Sequence, residues 1–209
     1  QSNYWEANFS EKPMMFGLTS STAALSALER FEKENIKEIV ELGAGLGRDT
    51  VFFADNKIKV EALDYSPTAI KIIEKKAREK NFSKLVSAKY FDVRGKLPYK
   101  NNSIQGIFSH MLYCMALTNS DIEKLNNEIY RVLKPGGINI YTVRHINDGD
   151  YMKGIHRGED MYENDGFIIN FFSEKKVNSL LEGFKNLSTT KFEEGKFPRK
   201  LFLVQNKKI

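Results

Sequence analysis

Apolar positions along the chain switch repeatedly between helical and strand spacing, and the switching predicts an ordered series of elements. Residues 19–31 put Ala24, Leu25, Leu28 and Phe31 on one face of a helix. Residues 38–42 form a short strand that stops at glycines, residues 48–54 begin a second helix, and residues 60–63 form a second strand. Pro67 suits a first helical turn, and Ala69, Ile70, Ile73 and Ala77 then line one side of the next helix. Strands are expected at 86–91 and 104–108. A helix from Ser120 follows, its spacing to Glu123 matching a capping box and Ile122, Leu125, Ile129, Val132 and Leu133 forming its buried stripe. Lys134-Pro135-Gly136-Gly137 ends that helix before a strand at 138–143. Ser173 caps a last helix through Leu181, and strands at 187–192 and 200–204 flank a turn at Gly195.

This alternation predicts an α/β fold, a Rossmann-like, doubly wound and mostly parallel sheet with helices on both faces. The two last strands have no helix between them, so they should form an antiparallel C-terminal hairpin at one edge. No repeat, low-complexity tract or linker interrupts residues 1–209, which are read as one domain. Two stretches stand outside the alternation. The N-terminal arm, residues 1–17, is apolar and aromatic, and its residues 1–3 resemble the remnant of a cleavable tag. Residues 146–172 exceed the roughly two to six residues that usually join strand to helix, and are read as an insertion closing over a substrate.

With 209 residues, 41% of them hydrophobic and 28% charged, the chain is ordinary globular protein rather than disordered or fibrous. Thirty-two basic against 27 acidic side chains leave +5, spread along the chain as a solvated surface rather than a nucleic-acid footprint. One cysteine, Cys114 between Tyr113 and Met115, excludes an intrachain disulfide and reads as a buried soft hydrophobe. No apolar run approaches the roughly 18 residues that span a bilayer, and no signal peptide opens the chain. A cytoplasmic protein without a membrane partner, monomeric or homodimeric, is expected.

The most informative stretch is Glu41-Leu42-Gly43-Ala44-Gly45-Leu46-Gly47-Arg48. Its glycines let the backbone turn tightly against a ligand, and the helix after them aims its N-terminal amides there. A dinucleotide loop would require glycine or alanine where Arg48 stands, and the carboxylate of Glu41 serves a pyrophosphate poorly. It serves an ammonium and a sulfonium well. Asp64, at the end of the second strand, can accept hydrogen bonds from two ribose hydroxyls, and Asp92 after the third can take an adenine amino group.

Together with Arg131-Val132-Leu133-Lys134-Pro135-Gly136-Gly137, these motifs resemble, in order, those of class I S-adenosylmethionine-dependent methyltransferases, from about residue 36 to 143. The resemblance implies a seven-stranded sheet. It also implies that Glu41, Gly43, Gly45 and Gly47 hold the methionine part of the cofactor, Asp64 the ribose, and Asp92 with Val93 the adenine. Ala44, Tyr65, Ser66 and Ser109 are expected beside them in the cofactor site.

Methyl transfer from a sulfonium is an in-line displacement that proximity and orientation can largely drive. The acceptor should stand over Ser109-His110-Met111-Leu112, at the end of the fourth strand. That sequence lacks the Asn/Asp-Pro-Pro-aromatic motif of amino methyltransferases acting on nucleobases or glutamine, and the Pro-Cys nucleophile of cytosine-C5 enzymes. It also offers no acid for a metal, and Asp148-Gly149-Asp150 reads as a solvated turn, so no metal is expected. His110 is the leading candidate for a general base, with His145 after the fifth strand as the second. Arg144 could clamp an anionic substrate group, and Tyr4, Trp5, Phe16, Tyr113 and Tyr151 could wall the pocket. The expected partner is a small-molecule methyl acceptor. The alternatives are an RNA or protein methyltransferase, or a non-catalytic module that binds S-adenosylmethionine.

Overall fold

In the computed structural model, which describes residues 2–12, 15, 17, 19–195 and 199–209, a helix α1 (Ser2–Glu11) leads into the predicted alternation. Then come α2 (Thr22–Lys33), β1 (Glu38–Leu42), α3 (Arg48–Asp55), β2 (Lys59–Asp64), α4 (Pro67–Glu79), β3 (Val86–Tyr90), β4 (Ile104–Ser109), α5 (Asn119–Val132) and β5 (Leu133–His145). The five strands are parallel in the order β3-β2-β1-β4-β5. Strand order therefore reverses between β1 and β4, and a crevice at the carboxyl ends of the strands is where such sheets bind ligands.

The chain continues through β6 (Ile155–His156), β7 (Met161–Asn164), β8 (Phe167–Phe172) and α6 (Glu174–Ser179) to β9 (Phe184–Glu194) and β10 (Arg199–Lys208). β10 runs antiparallel beside β5, with Leu201 opposite Arg144 and Lys207 opposite Ile138, and β9 pairs antiparallel with β10. These seven strands are the expected frame. Three more belong to the 146–172 insertion, which is an antiparallel meander rather than a loop. β4 stops at Ser109, opposite Tyr141, while β5 runs on to His145. β8 takes up the edge that β4 leaves, pairing Arg144 with Phe171 and His145 with Phe172. The meander thus rises from the carboxyl edge itself.

Alternation along the strands sorts the core into two layers. Val40, Leu42, Ile107, Tyr141, Val143, Phe202 and Val204 face α5 and α6, packing on Leu125, Ile129 and Val177. Ile39, Val60, Phe108, Ile138, Ile140 and Leu203 face the other way, onto Ala24, Ala27 and Phe31 of α2 and Phe53 of α3.

Three boundaries differ from expectation. α2 begins at Thr22 because Ser21 is its cap: the Ser21 hydroxyl accepts from Ala24 N, while Ser21 N and Oγ both donate to Asp49 at 2.8 and 2.7 Å. α5 begins at Asn119 because the capping box lies two residues before the expected one, between Thr118 and Asp121. The Lys134–Gly137 segment is already part of β5 rather than a stop before it. Gly137 is required there, since a Cβ would approach the carbonyl oxygen of Lys134 to 2.9 Å and that of Gln105 to 3.1 Å.

Candidate cofactor and acceptor site

The glycine loop leaves β1 and is tied at once to β2, with Gly43 N and Ala44 N donating to the Leu63 carbonyl at 2.8 and 3.2 Å. Gly43 has φ +68°, and a Cβ on it would stand 2.9 Å from Leu112 Cδ1, so the loop is a cradle that a side chain would fill. Glu41 lies beneath it, 3% exposed, and Thr50 Oγ1 donates to its Oε2 at 2.5 Å. Burial, and then Asp49 nearby, push the Glu41 carboxyl up to about 8.

Asp64 ends β2 with 6% of its surface exposed. Its Oδ2 accepts from Gly45 N at 2.8 Å and its Oδ1 from Ser66 N at 2.9 Å, which leaves each oxygen a further lone pair. Burial raises its pKa against those two bonds. Ser66 caps α4, and the half-buried Tyr65 beside it has its phenol pKa raised by burial and by Asp64. Asp92 follows β3, where Arg94 grips it through Nε at 3.0 and 3.1 Å and through Nη2 at 2.5 Å, holding its carboxyl below the usual range. Val93 beside it is buried. At the end of β4, Ser109 is fully buried and its hydroxyl has no protein partner. Two buried carboxylates, a Cβ-free cradle and an unpartnered hydroxyl match a ligand with an ammonium, a sulfonium and ribose hydroxyls, so the residues present fit S-adenosylmethionine.

The N-terminal arm is a helix laid over this edge. Phe9, with Trp5 against it, packs on Leu46 of the glycine loop and Ala69 of α4. Glu6 accepts from the hydroxyls of Ser66 and Thr68, bonds that keep its carboxyl ionised to lower pH than usual. Tyr4 and Trp5 then meet Phe167 of the meander, each with ring centroids 5.3 Å apart. The arm and the insertion, far apart in sequence, close into one roof. Phe16, also expected in the pocket wall, lies outside the described residues.

The two histidines named as candidate bases sit on opposite faces of the sheet. His110 follows β4 on the α2 face, with Nδ1 at 3.0 Å from Thr142 Oγ1 and Nε2 at 2.9 Å from Glu194 Oε2. His145 lies on the other face against Phe202, centroids 4.3 Å apart, and its Nδ1 accepts from Asn147 N at 2.8 Å. Burial, then Lys191, lower its pKa. Alternation explains the separation: Thr142 and His145 differ by an odd number of strand positions.

Arg144 is 2% exposed and committed to Asp148 at 3.0 and 2.5 Å and to Asp150 at 2.7 Å. It anchors the start of the meander, a role that removes it from clamping a substrate. Tyr113 is fully buried and stacked on Tyr141 at 4.5 Å, so it belongs to the core and not to a pocket wall. Tyr151 packs on Tyr162 and Phe171 within the insertion. Among the described residues no three His, Cys, Asp or Glu side chains gather as a metal site, and no helix is long and apolar enough to cross a membrane.

Glu6, Thr142 and Glu194 enter the site without any motif to announce them. Only Thr142 carried a signal, a polar residue in an apolar strand.

The geometry is that of a nucleoside-binding α/β protein with acids in place of a phosphate cradle. A sequence model of the methyltransferase-domain family matches residues 39–137. The chain is 32% identical over 149 residues to phosphoethanolamine N-methyltransferase 1 of Triticum aestivum, an alignment covering 66% of this chain and 28% of the wheat protein. It therefore spans about a quarter of the length of the curated relatives it matches. In fold it is similar to Burkholderia thailandensis 1,6-didemethyltoxoflavin-N1-methyltransferase, a structure with S-adenosylhomocysteine bound, at TM-score 0.76 and 15% identity, covering 99% of this chain and 86% of that one. A S-adenosylmethionine-dependent methyltransferase from Methanosarcina mazei aligns at TM-score 0.72 and 19% identity, over 92% and 99% of the two chains. Residues 39–137 thus carry a methyltransferase domain, and the residues that line its site fit S-adenosylmethionine.

Proposed function

We propose that this chain, acting as one domain, transfers the methyl group of S-adenosylmethionine to a small-molecule acceptor. The observation that supports a small acceptor is the roof: Tyr4 and Trp5 of α1 meet Phe167 of β8, joining the N-terminal arm to the insertion at the carboxyl edge, where a methyl acceptor would have to approach. The names of the relatives point the same way, one to phosphoethanolamine and one to a didemethyltoxoflavin.

The cofactor supplies an electrophilic methyl group on a sulfonium that departs as a neutral thioether. Glu41, with Gly43, Ala44, Gly45 and Gly47, holds the amino-acid end by charge and by exposed backbone. Asp64 takes the ribose hydroxyls on its remaining lone pairs, with Ser66 and Tyr65 beside it, and Asp92 with Val93 edges the adenine. Ser109 offers a hydroxyl at the end of β4. The roof excludes water and restricts the approach of the acceptor, so orientation supplies most of the rate.

Calorimetric titration with S-adenosylmethionine, S-adenosylhomocysteine and, as control, NAD tests the cofactor half of this reading. Micromolar binding of the first two, about −8 kcal/mol, is expected. The acceptor half is tested by S-adenosylhomocysteine formation with a panel of small amines, phenols, thiols and carboxylates against bulk RNA and a peptide library. Turnover confined to RNA or peptide would overturn it.

A further inference from the structure

Three side chains at the carboxyl edge, from three different parts of the sheet, form a hydrogen-bonded chain that the cofactor site does not use. Met111 N donates to Thr142 Oγ1 at 2.8 Å, Thr142 Oγ1 lies 3.0 Å from His110 Nδ1, and His110 Nε2 lies 2.9 Å from Glu194 Oε2. The order of donors follows from the chemistry. A carboxylate accepts, so Nε2 carries a proton toward Glu194. In the neutral ring Nδ1 is then an acceptor and takes the Thr142 hydroxyl proton, while in the charged ring both nitrogens donate. In neither form does His110 keep a lone pair for an acceptor. The histidine expected as the general base is therefore a positioning residue, and the group it positions is Glu194.

Glu194 is suited to face a ligand. Among the described residues its second oxygen, Oε1, receives a long bond of 3.4 Å from Thr22 N, and 21% of the side chain is exposed. Burial is the largest single influence and favours the protonated acid, but the His110 hydrogen bond, the charges of His110 and Arg48 and the Thr22 amide together outweigh it and hold the carboxyl below its ordinary range. The place in the fold also fits. The residues matching the cofactor run from the β1 loop outward to β2 and β3, through Gly45, Asp64 and Asp92. His110, Thr142 and Glu194 lie on the other side of the strand reversal, beyond β4, on β5 and on β9. Arg48, the first residue after the glycine loop, pairs with Asp49 at 3.3 Å and contributes a favourable field at Glu194 from the cofactor side.

We propose that Glu194 is the acceptor-recognition residue of this enzyme and that it selects an acceptor presenting an ammonium group, with His110 and Thr142 fixing the carboxylate. This deepens the methyltransferase reading and rests on it. An ionised carboxylate with one open oxygen binds a cationic donor directly, and it rejects an anionic acceptor by like-charge repulsion.

The test uses the full chain with S-adenosylhomocysteine added, and follows the imidazole signals of its three histidines by nuclear magnetic resonance. The probes are n-propylammonium and propionate. The ammonium should shift the His110 signals saturably and propionate should not. Glu194→Gln should weaken the ammonium response at least tenfold while changing S-adenosylhomocysteine affinity less than twofold. Propionate acting as strongly as the ammonium, or an unchanged ammonium response in Glu194→Gln, would overturn the proposal. Should that variant fail to fold, the two-probe comparison on the unsubstituted protein decides alone. Failure of S-adenosylhomocysteine to bind the unsubstituted protein would instead strike the methyltransferase reading, and the same two probes on the free protein would still decide whether Glu194 takes a cation.

Discussion

The two sides of the carboxyl edge are built differently. From β1 to β3 each site carboxylate is fixed by a near neighbour in sequence: Glu41 by Thr50, nine residues on, Asp64 by Gly45, 19 residues back, and Asp92 by Arg94, two residues on. From β4 onward the partners are remote. His110 and Thr142 are 32 residues apart, Glu194 and Thr22 are 172 apart, and the roof joins α1 to β8. The side that matches the cofactor is thus written in local turn chemistry, whereas the side proposed for the acceptor is assembled by topology. One side can be conserved in geometry while the other is rebuilt.

The largest expected effect lies on the local side. Asp64→Ala removes the carboxylate that would take two ribose hydroxyls and leaves Gly45 N and Ser66 N without their acceptors. S-adenosylmethionine affinity should fall at least 100-fold, about 3 kcal/mol, with circular dichroism still showing a folded chain. Unchanged affinity in the folded variant would erase the assignment of that side.

Next comes the pH dependence set by Glu41. In the free protein its carboxyl is raised to about 8, and a bound ammonium beside it favours the carboxylate form. Binding at pH 7 must therefore release a proton. Affinity should rise with pH, up to about tenfold per unit, and level off above pH 8. The stability of the free protein runs the other way: a carboxyl whose folded pKa exceeds its unfolded value costs stability as pH rises from about 4.5 to 8. Glu41→Gln should abolish both trends, with weak, pH-independent binding and a free protein more stable at pH 8 than the unsubstituted one. Calorimetry in two buffers of different ionisation enthalpy and thermal melts across this range measure them.

The same contrast explains what the sequence made legible. The glycine loop, Asp64 and the Pro67 helix start could be read because their partners are in the same few turns of chain. The frame of seven strands was legible for a similar reason, since periodicity is local. The meander was not, because Ile155 to Phe172 gains its strand partners only by pairing with itself and with the β5 overhang left free where β4 stops. Tyr113 and Arg144 were read as pocket residues from their position after strands. Which face a residue takes there depends on where a neighbouring strand ends, and that is a tertiary fact. Glu194 stood beside a turn glycine like any surface acid.

A smaller effect is expected at the roof. Phe167→Ala removes the ring that meets both Tyr4 and Trp5. The acceptor kcat/KM should drop about tenfold, about 1.4 kcal/mol, with S-adenosylhomocysteine affinity nearly unchanged. Equal losses in both would mean that α1 serves the cofactor alone, and the two sides would no longer be separable.

The smallest effect is at Thr142, and it probes the remote side most finely. Thr142→Val keeps the shape of the side chain and the β-branching that suits β5. It deletes one hydroxyl, which is both the acceptor for Met111 N and the partner of His110 Nδ1. The ring is still held at Nε2 by Glu194, but its Nδ1 is left without a protein partner, so it can rotate and the carboxylate it steadies loses one fixed direction. A hydrogen bond of this kind contributes about 1 kcal/mol, so the acceptor kcat/KM should fall roughly fivefold. The fall should appear mainly in KM if His110 and Thr142 orient an acceptor-binding carboxylate, and mainly in kcat if His110 moves a proton. Thr142→Ser, which restores the hydroxyl, should recover most of the loss. A serine variant no better than valine would show that Thr142 serves packing on the α2 face, and would detach it from the acceptor side.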